Sequence, residues 1–243
     1  MEVSITGARV LFRLPLGITI TETQVSMWII MLVIGLLCKW LTHDLKVKPT
    51  SRRQVVAETI VNTINNLLND VMGVRFKDFA PFVATLFAFV VFSNLSGLFG
   101  LFSPTADLNT TLGWAIVVFI MILSTNIKTN GVGGYLKGLT EPVVFFTPLN
   151  VIGEFATPVS MAMRLFGNVL SGSVISTLLY AGLATLSSFV LQKLPGFLAN
   201  IPIFQLGIPA ILSIYFDVFS GVLQAFIFIM LTMAYVSNAA SSE

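Results

Sequence analysis

The sequence predicts an all-α protein that crosses a membrane several times, and three observations carry that prediction. Of the 243 residues, 56% are hydrophobic and only 10% are charged, against about 25% charged in soluble domains. Several apolar runs reach the roughly 20 residues that a helix needs to cross a bilayer. The charges cluster between those runs and leave long stretches with none. About five membrane-inserted helices are expected, with amphipathic or re-entrant helices beside them, in one integral membrane domain over residues 1–243.

Residues 1–24 read as a short external segment in which Pro15 and Gly17 break any helix. Residues 25–41 are the first span, with Trp28 and Trp40 as interfacial anchors near its two ends. No uninterrupted apolar core precedes Val25, so no cleavable signal peptide is expected. His43–Arg53 is a basic linker. Residues 54–72 set Val55, Ile60, Ile64, Leu67, Leu68 and Val71 at helical spacing, with Glu58, Asn62, Asn65, Asn66 and Asp70 between them. That is too polar to span, and predicts an amphipathic helix at the surface or against the other helices.

Residues 79–101 and 109–126 are the next spans, joined by a tight external turn containing Pro104 and Asp107. Gly131–Gly138 reads as a loop; it lacks the Gly-Lys-Ser/Thr ending of a phosphate cradle and opens no helix. Residues 141–150, with Pro142 and Pro148, read as a broken, partly inserted stretch. Residues 152–192 and 202–239 are each roughly 36 to 40 residues long, ~55 Å as helices, against a hydrocarbon core of about 30 Å. They are expected to form a long, strongly tilted hairpin. No internal repeat is evident, which counts against a transporter built from two matched halves.

The basic residues orient the chain. If Lys39, Lys46, Lys48, Arg52, Arg53, Arg75, Lys77, Lys128 and Lys137 share one side, only Arg9, Arg13 and Lys193 lie opposite. The positive-inside rule then places the N-terminus outside and the C-terminus in the cytoplasm. Nothing concentrates these bases into a nucleic-acid site. Cys38 is the only cysteine, so no intramolecular disulfide forms.

One basic residue remains, inside an apolar helix: Arg164, in Ser160-Met-Ala-Met-Arg164-Leu-Phe-Gly-Asn168. Inserting arginine at mid-membrane costs about 3 kcal/mol on insertion scales, and a guanidinium, unlike a lysine amine, does not escape by losing its proton. Either it snorkels or pairs with Glu154 or Asp217, or it is an electrostatic element of an ion path. Ser160, Asn168 and Ser171 share its stripe, and Gly167, Gly172 and Ser173 thin the helix there. Small residues also mark close helix contacts in membranes. On the last helix, Asp217 and Gln224 lie seven residues apart on one face, with Ser220 and Gly221 between them. Asp217 is either neutralised or paired, or it relays protons in a hydrated cavity.

Four motifs occur in order: Pro104-Thr-Ala-Asp107-Leu-Asn109, Pro158-Val-Ser160, Arg164-Leu-Phe-Gly-Asn168 and Leu223-Gln224-Ala-Phe-Ile-Phe228. In these the chain resembles, over nearly its whole length from Val25, subunit a of the F-type ATP synthases. The resemblance implies a stator whose two long helices cradle a ring of c subunits, each bearing a mid-membrane carboxylate. Arg164 would stand between two offset aqueous half-channels, attracting the deprotonated rotor carboxylate and blocking leakage. Asn168, Gln224 and Asn94 would line the external half-channel, and Glu154 and Ser160 the cytoplasmic one. Many relatives carry a glutamate nine residues after the arginine, paired with a histidine on the last helix. Here those positions are Ser173 and Asp217, and Asp217 reads as the relocated acid.

The implied function is translocation of protons or sodium ions coupled to ATP synthesis, without nucleotide chemistry, cofactor or metal in this chain. The implied partners are the c-subunit ring, the b-subunit peripheral stalk and the remaining synthase subunits. One copy per complex in a bacterial plasma (inner) membrane is expected. A self-contained ion channel or secondary transporter, and a structural scaffold in which Arg164 is merely paired, are the alternatives.

Overall fold

The structure, a computed structural model, describes residues 7–13, 19–47, 51–141, 143–191 and 214–241. It is an all-α assembly in which, among the described residues, five helical stretches are long and apolar enough to cross a membrane. These are Glu22–Leu41, Val74–Phe99, Leu108–Thr140, Val144–Ser187 and Ser220–Ala239.

The N-terminal segment is more ordered than Pro15 and Gly17 suggest. Val10–Arg13 (β1) and Thr19–Thr21 (β2) pair antiparallel as a two-stranded ribbon. β-branched and aromatic side chains at Val10, Phe12 and Ile20 suit extended backbone, and the Glu22 N–H donates to the Arg9 carbonyl at 3.0 Å. Helix α1, Glu22–Leu41, therefore opens before the expected Val25. The Thr21 N–H donates to Gln24 Oε1 at 3.2 Å, one half of a capping box. Trp28, Met31, Leu32, Leu36 and Trp40 are exposed along α1, as a lipid-facing helix requires.

Helix α2, Arg52–Met72, starts on Ser51, whose Oγ accepts from the Gln54 N–H at 3.2 Å. Its far end is anchored: Leu68 and Met72 join Val83, Ile229, Met233 and Val236 in one buried cluster. Helix α3, Ala80–Leu95, carries Pro81 in its first turn, where no helical donor is lost. Short 3-10 turns, Val74–Phe79 and Ser96–Phe99, flank it. At its end the Ser93 carbonyl accepts from the hydroxyls of Ser96 and Ser103, at 2.8 and 2.7 Å.

Helix α4, Leu108–Thr140, is capped by Asp107, whose Oδ1 accepts from the Asn109 N–H at 3.0 Å. The other oxygen of Asp107 accepts from the Thr23 hydroxyl at 3.0 Å, tying the external turn to α1. Gly131–Gly138 corrects the loop expected there. The helix breaks at Gly131 (φ 71°, ψ 167°) and then resumes to Thr140. Glycine adopts that left-handed φ without the Cβ clash other residues meet, and packing of the tail on the next helix outweighs the weak helix propensity of Gly133, Gly134 and Gly138.

Helix α5, Thr147–Leu191, is a single run of 45 residues preceded by a 3-10 turn at Val144–Phe146. At 1.5 Å per residue it is ~68 Å long. Helix α6, Ser220–Ala239, follows a π-helical turn at Ile214–Phe219. The earlier part of the expected 202–239 helix, and Gln192 and Lys193, lie outside the described residues. The centre of the molecule is one apolar cluster to which four helices contribute. Val90 comes from α3, Ala115 and Val118 from α4, Met161, Ala162 and Leu165 from α5, and Ala225 and Phe228 from α6.

Candidate functional site

Helical periodicity decides what α5 shows to its surroundings. Met161, Ala162 and Leu165 are buried in the central cluster. The opposite face carries Ser160, Met163, Arg164 and Ser171, all exposed. Among the described residues Arg164 has neither an ion pair nor a hydrogen bond; the ion pairs there are His43–Asp44 and Lys137–Glu141, both on exposed side chains. Pairing of Arg164 with Glu154 is therefore not what is found. The side chain of Asp217 lies outside the described residues. Among the described residues, a Cβ built on Gly167 or Gly172 meets nothing within 4 Å.

Toward the α3 end of the bundle, polar side chains converge. Asn94 on α3 is buried, and its Nδ2 donates to the Gly221 carbonyl on α6 at 2.7 Å. That approach needs glycine: a Cβ on Gly221 would sit 3.2 Å from Asn94 Cβ. Gln224, one turn further along α6, is buried as well. Asn94 Oδ1 and Gln224 Nε2 have no hydrogen-bond partner among the described residues. One is an acceptor and the other a donor, and each is left open in the protein interior. Asn168 on α5 joins the same end, its Oδ1 accepting from the Ser220 hydroxyl at 2.8 Å.

Two serines of α5 bond back to their own helix. Ser173 is exposed, and its hydroxyl donates to the Leu170 carbonyl of its own helix at 2.7 Å. Ser171 likewise bonds back to Gly167.

At the other end of α6 a cavity of about 1180 Å³ opens between the α4 tail, the start of α5 and the end of α6. Glu154, Asn126, Asn130, Tyr135 and Asn238 are among the residues that line it. Ser160 is not part of this lining and remains on the exposed face beside Arg164. The Glu154 carboxylate accepts from the Tyr135 hydroxyl at 2.6 Å, a short bond of the kind ionised acceptors make. Pro158, one turn after Glu154, has no N–H to offer the Glu154 carbonyl, which is left without its helical donor. Asn150 Nδ2 donates to the carbonyls of Leu139 and Glu141, at 2.9 and 3.0 Å, and clamps the α4 tail to α5.

Sequence reading missed Tyr135. The residue sits in a glycine-rich stretch that reads as a loop, and its partner lies 19 residues on. Only the turn at Gly131 followed by renewed helix brings the two together.

Two polar regions thus lie at different levels, with Arg164 between them along α5. Glu154 is ~15 Å before it and Asn168 ~6 Å after it along the helix axis. The central apolar cluster fills the space between these levels. Among the described residues, polar side chains gather at these two levels, and the cavity opens at the Glu154 one.

Comparison with known proteins identifies the family. Residues 24–237 match the family of the ATP synthase A chain. "ATP synthase subunit a, sodium ion specific" of Propionigenium modestum is 36% identical, over 92% of this chain and 75% of that protein. ATP synthase subunit a of Desulforamulus reducens is 34% identical, over 94% of this chain and 83% of the relative. ATP synthase subunit a 1 of Crocosphaera subtropica is 33% identical, over 91% and 87%. With five helices able to cross a membrane and this match over almost its whole length, the chain belongs to the ATP synthase A chain family, the multi-pass, ion-translocating stator subunits of the ATP synthase complex, which are not catalytic by themselves.

Proposed function

We propose that Arg164 is the stator charge of this subunit and faces, on the open side of α5, a carboxylate carried by each c subunit of a rotating ring. The single observation that carries the reading is an exposed guanidinium with no partner among the described residues, in the middle of a helix fit to cross a membrane. Such a charge is costly in hydrocarbon. A deprotonated acid passing on a neighbouring subunit removes that cost, and a permanent cation at this position repels any ion moving straight through.

On this reading the region of Asn94, Asn168 and Gln224 belongs to the external half-channel, with Asp217 as its titratable group and Ser173 at its margin. The cavity at Glu154 is the cytoplasmic half-channel, with Ser160 on the way to Arg164. An ion entering one side must ride the ring to reach the other. Each charge crossing the potential yields about 2.3 kcal/mol per 100 mV, so several must pass for each ATP. The peripheral stalk of b subunits would hold the chain against the ring. The N-terminus lies outside and the C-terminus in the cytoplasm of a bacterial plasma membrane.

The test is Arg164→Ala in the complete synthase. ATP-driven pumping into inverted membrane vesicles should vanish while the complex still assembles; pumping at the unmutated rate would overturn the reading.

A further inference from the structure

We propose that Tyr135 is a positioning residue for ion exchange in the Glu154 cavity: its hydroxyl holds the carboxylate in place and loosens its grip on the cation, so that ions enter and leave quickly. This rests on the reading of that cavity as the cytoplasmic half-channel.

Three observations point to it. The first is the bond itself, at 2.6 Å between two half-buried side chains on the wall of a cavity of about 1180 Å³. The second is that the bond is not needed to fasten the α4 tail to α5. Asn150 already does so, through two hydrogen bonds to the carbonyls of Leu139 and Glu141. The third is the turn at Gly131, a left-handed residue that redirects the tail so that Tyr135 faces back onto α5. A phenol that donates to a carboxylate withdraws electron density from it and stabilises its ion-free form. A cation meeting that carboxylate is then held less tightly than by a bare one.

The charged groups around the cavity are few. Lys137 and Glu141, from the α4 tail and the residue after it, pair with each other at 3.6 Å on exposed side chains. Among the described residues, the end of α6 and the residues after it contribute the uncharged Asn238 and Ser241. Glu154 is therefore the carboxylate of this lining without a basic partner among the described residues.

The experiment uses the complete synthase in inverted vesicles, whose outer face is the cytoplasmic one. The rate of ATP-driven pumping is followed against the concentration of the coupling ion on that face, with sodium at fixed pH and then the proton as titrants. Tyr135→Phe keeps the ring and removes the hydroxyl. It should lower the half-saturating ion concentration roughly ten- to a hundredfold, as loss of one charge-assisted hydrogen bond predicts, and slow the saturating rate. Asn150→Ala, which loosens the same joint, should lower the saturating rate alone. On a Glu154→Gln background, Tyr135→Phe should add nothing. An unchanged half-saturating concentration in Tyr135→Phe, whatever its maximal rate, would overturn the proposal, as would a further loss on the Glu154→Gln background. If Arg164→Ala pumps normally, the stator reading itself has failed. If Arg164→Ala is dead and Tyr135→Phe titrates like the parent, only the role of Tyr135 falls.

Discussion

Single atoms decide how the polar end of the bundle is built. Asn94 reaches the Gly221 carbonyl only because no Cβ stands in the way. Gly221→Ala would place a methyl 3.2 Å from Asn94 Cβ, tighter than packed cores tolerate without movement. Overpacking of this kind costs about 1–3 kcal/mol, and urea denaturation of the purified chain in detergent micelles should show a loss in that range. Pumping should fall as well, because Asn94 must move away from the Gly221 carbonyl. Asn94→Ala is expected to spare stability more than Gly221→Ala does, since it empties space where the other fills it. Much at this scale is legible in the sequence. Arg164 stands out as a charge in an apolar run, and Asn94 and Gln224 as amides in apolar helices. What was not legible is the partner of each side chain. Glu154 meets Tyr135 rather than Arg164, and no spacing rule connects residues on two helices joined by a broken segment.

At the scale of elements, two joints hold the helices in register. Asp107 caps α4 and accepts the Thr23 hydroxyl from α1, so Asp107→Ala loses a cap worth about 1 kcal/mol together with a tie between helices. Thermal unfolding of the detergent-solubilised chain should shift downward, and Asp107→Asn should recover most of the shift because its amide oxygen still caps. The second joint is Gly131. Its φ of 71° is strained for any residue with a Cβ, and Gly131→Ala should destabilise by about 1–2 kcal/mol. It should also weaken cross-linking between cysteines introduced by Tyr135→Cys and Glu154→Cys. The helices themselves were readable from apolar run length and turn residues. The tail beyond Gly131 was not, because its glycines argue locally for a loop while its contacts with α5 argue for helix. The β1–β2 ribbon was missed for a related reason: Pro15 and Gly17 speak against helix but do not announce a pairing of the segments on either side.

For the whole molecule, fold class and family were open to sequence reading because both rest on composition and ordered motifs rather than on contacts. Membership of the ATP synthase A chain family leaves no need for a self-contained transporter. Orientation is testable through the lone cysteine. In a Cys38→Ser background, Ser241→Cys should react with a membrane-impermeant maleimide in inverted vesicles and not in intact cells. The coupling ion is read from ATP hydrolysis at fixed pH: stimulation by sodium assigns sodium, and indifference to it assigns the proton. The open face around Arg164 also bears on biogenesis. A newly inserted copy that has not met its ring presents a bare guanidinium and a thin, glycine-bearing stripe to lipid tails. Such an orphan is a natural substrate for membrane quality-control proteases, so its lifetime in cells lacking the ring subunit should be short. The cell would thereby never accumulate half a motor with an unguarded path for ions.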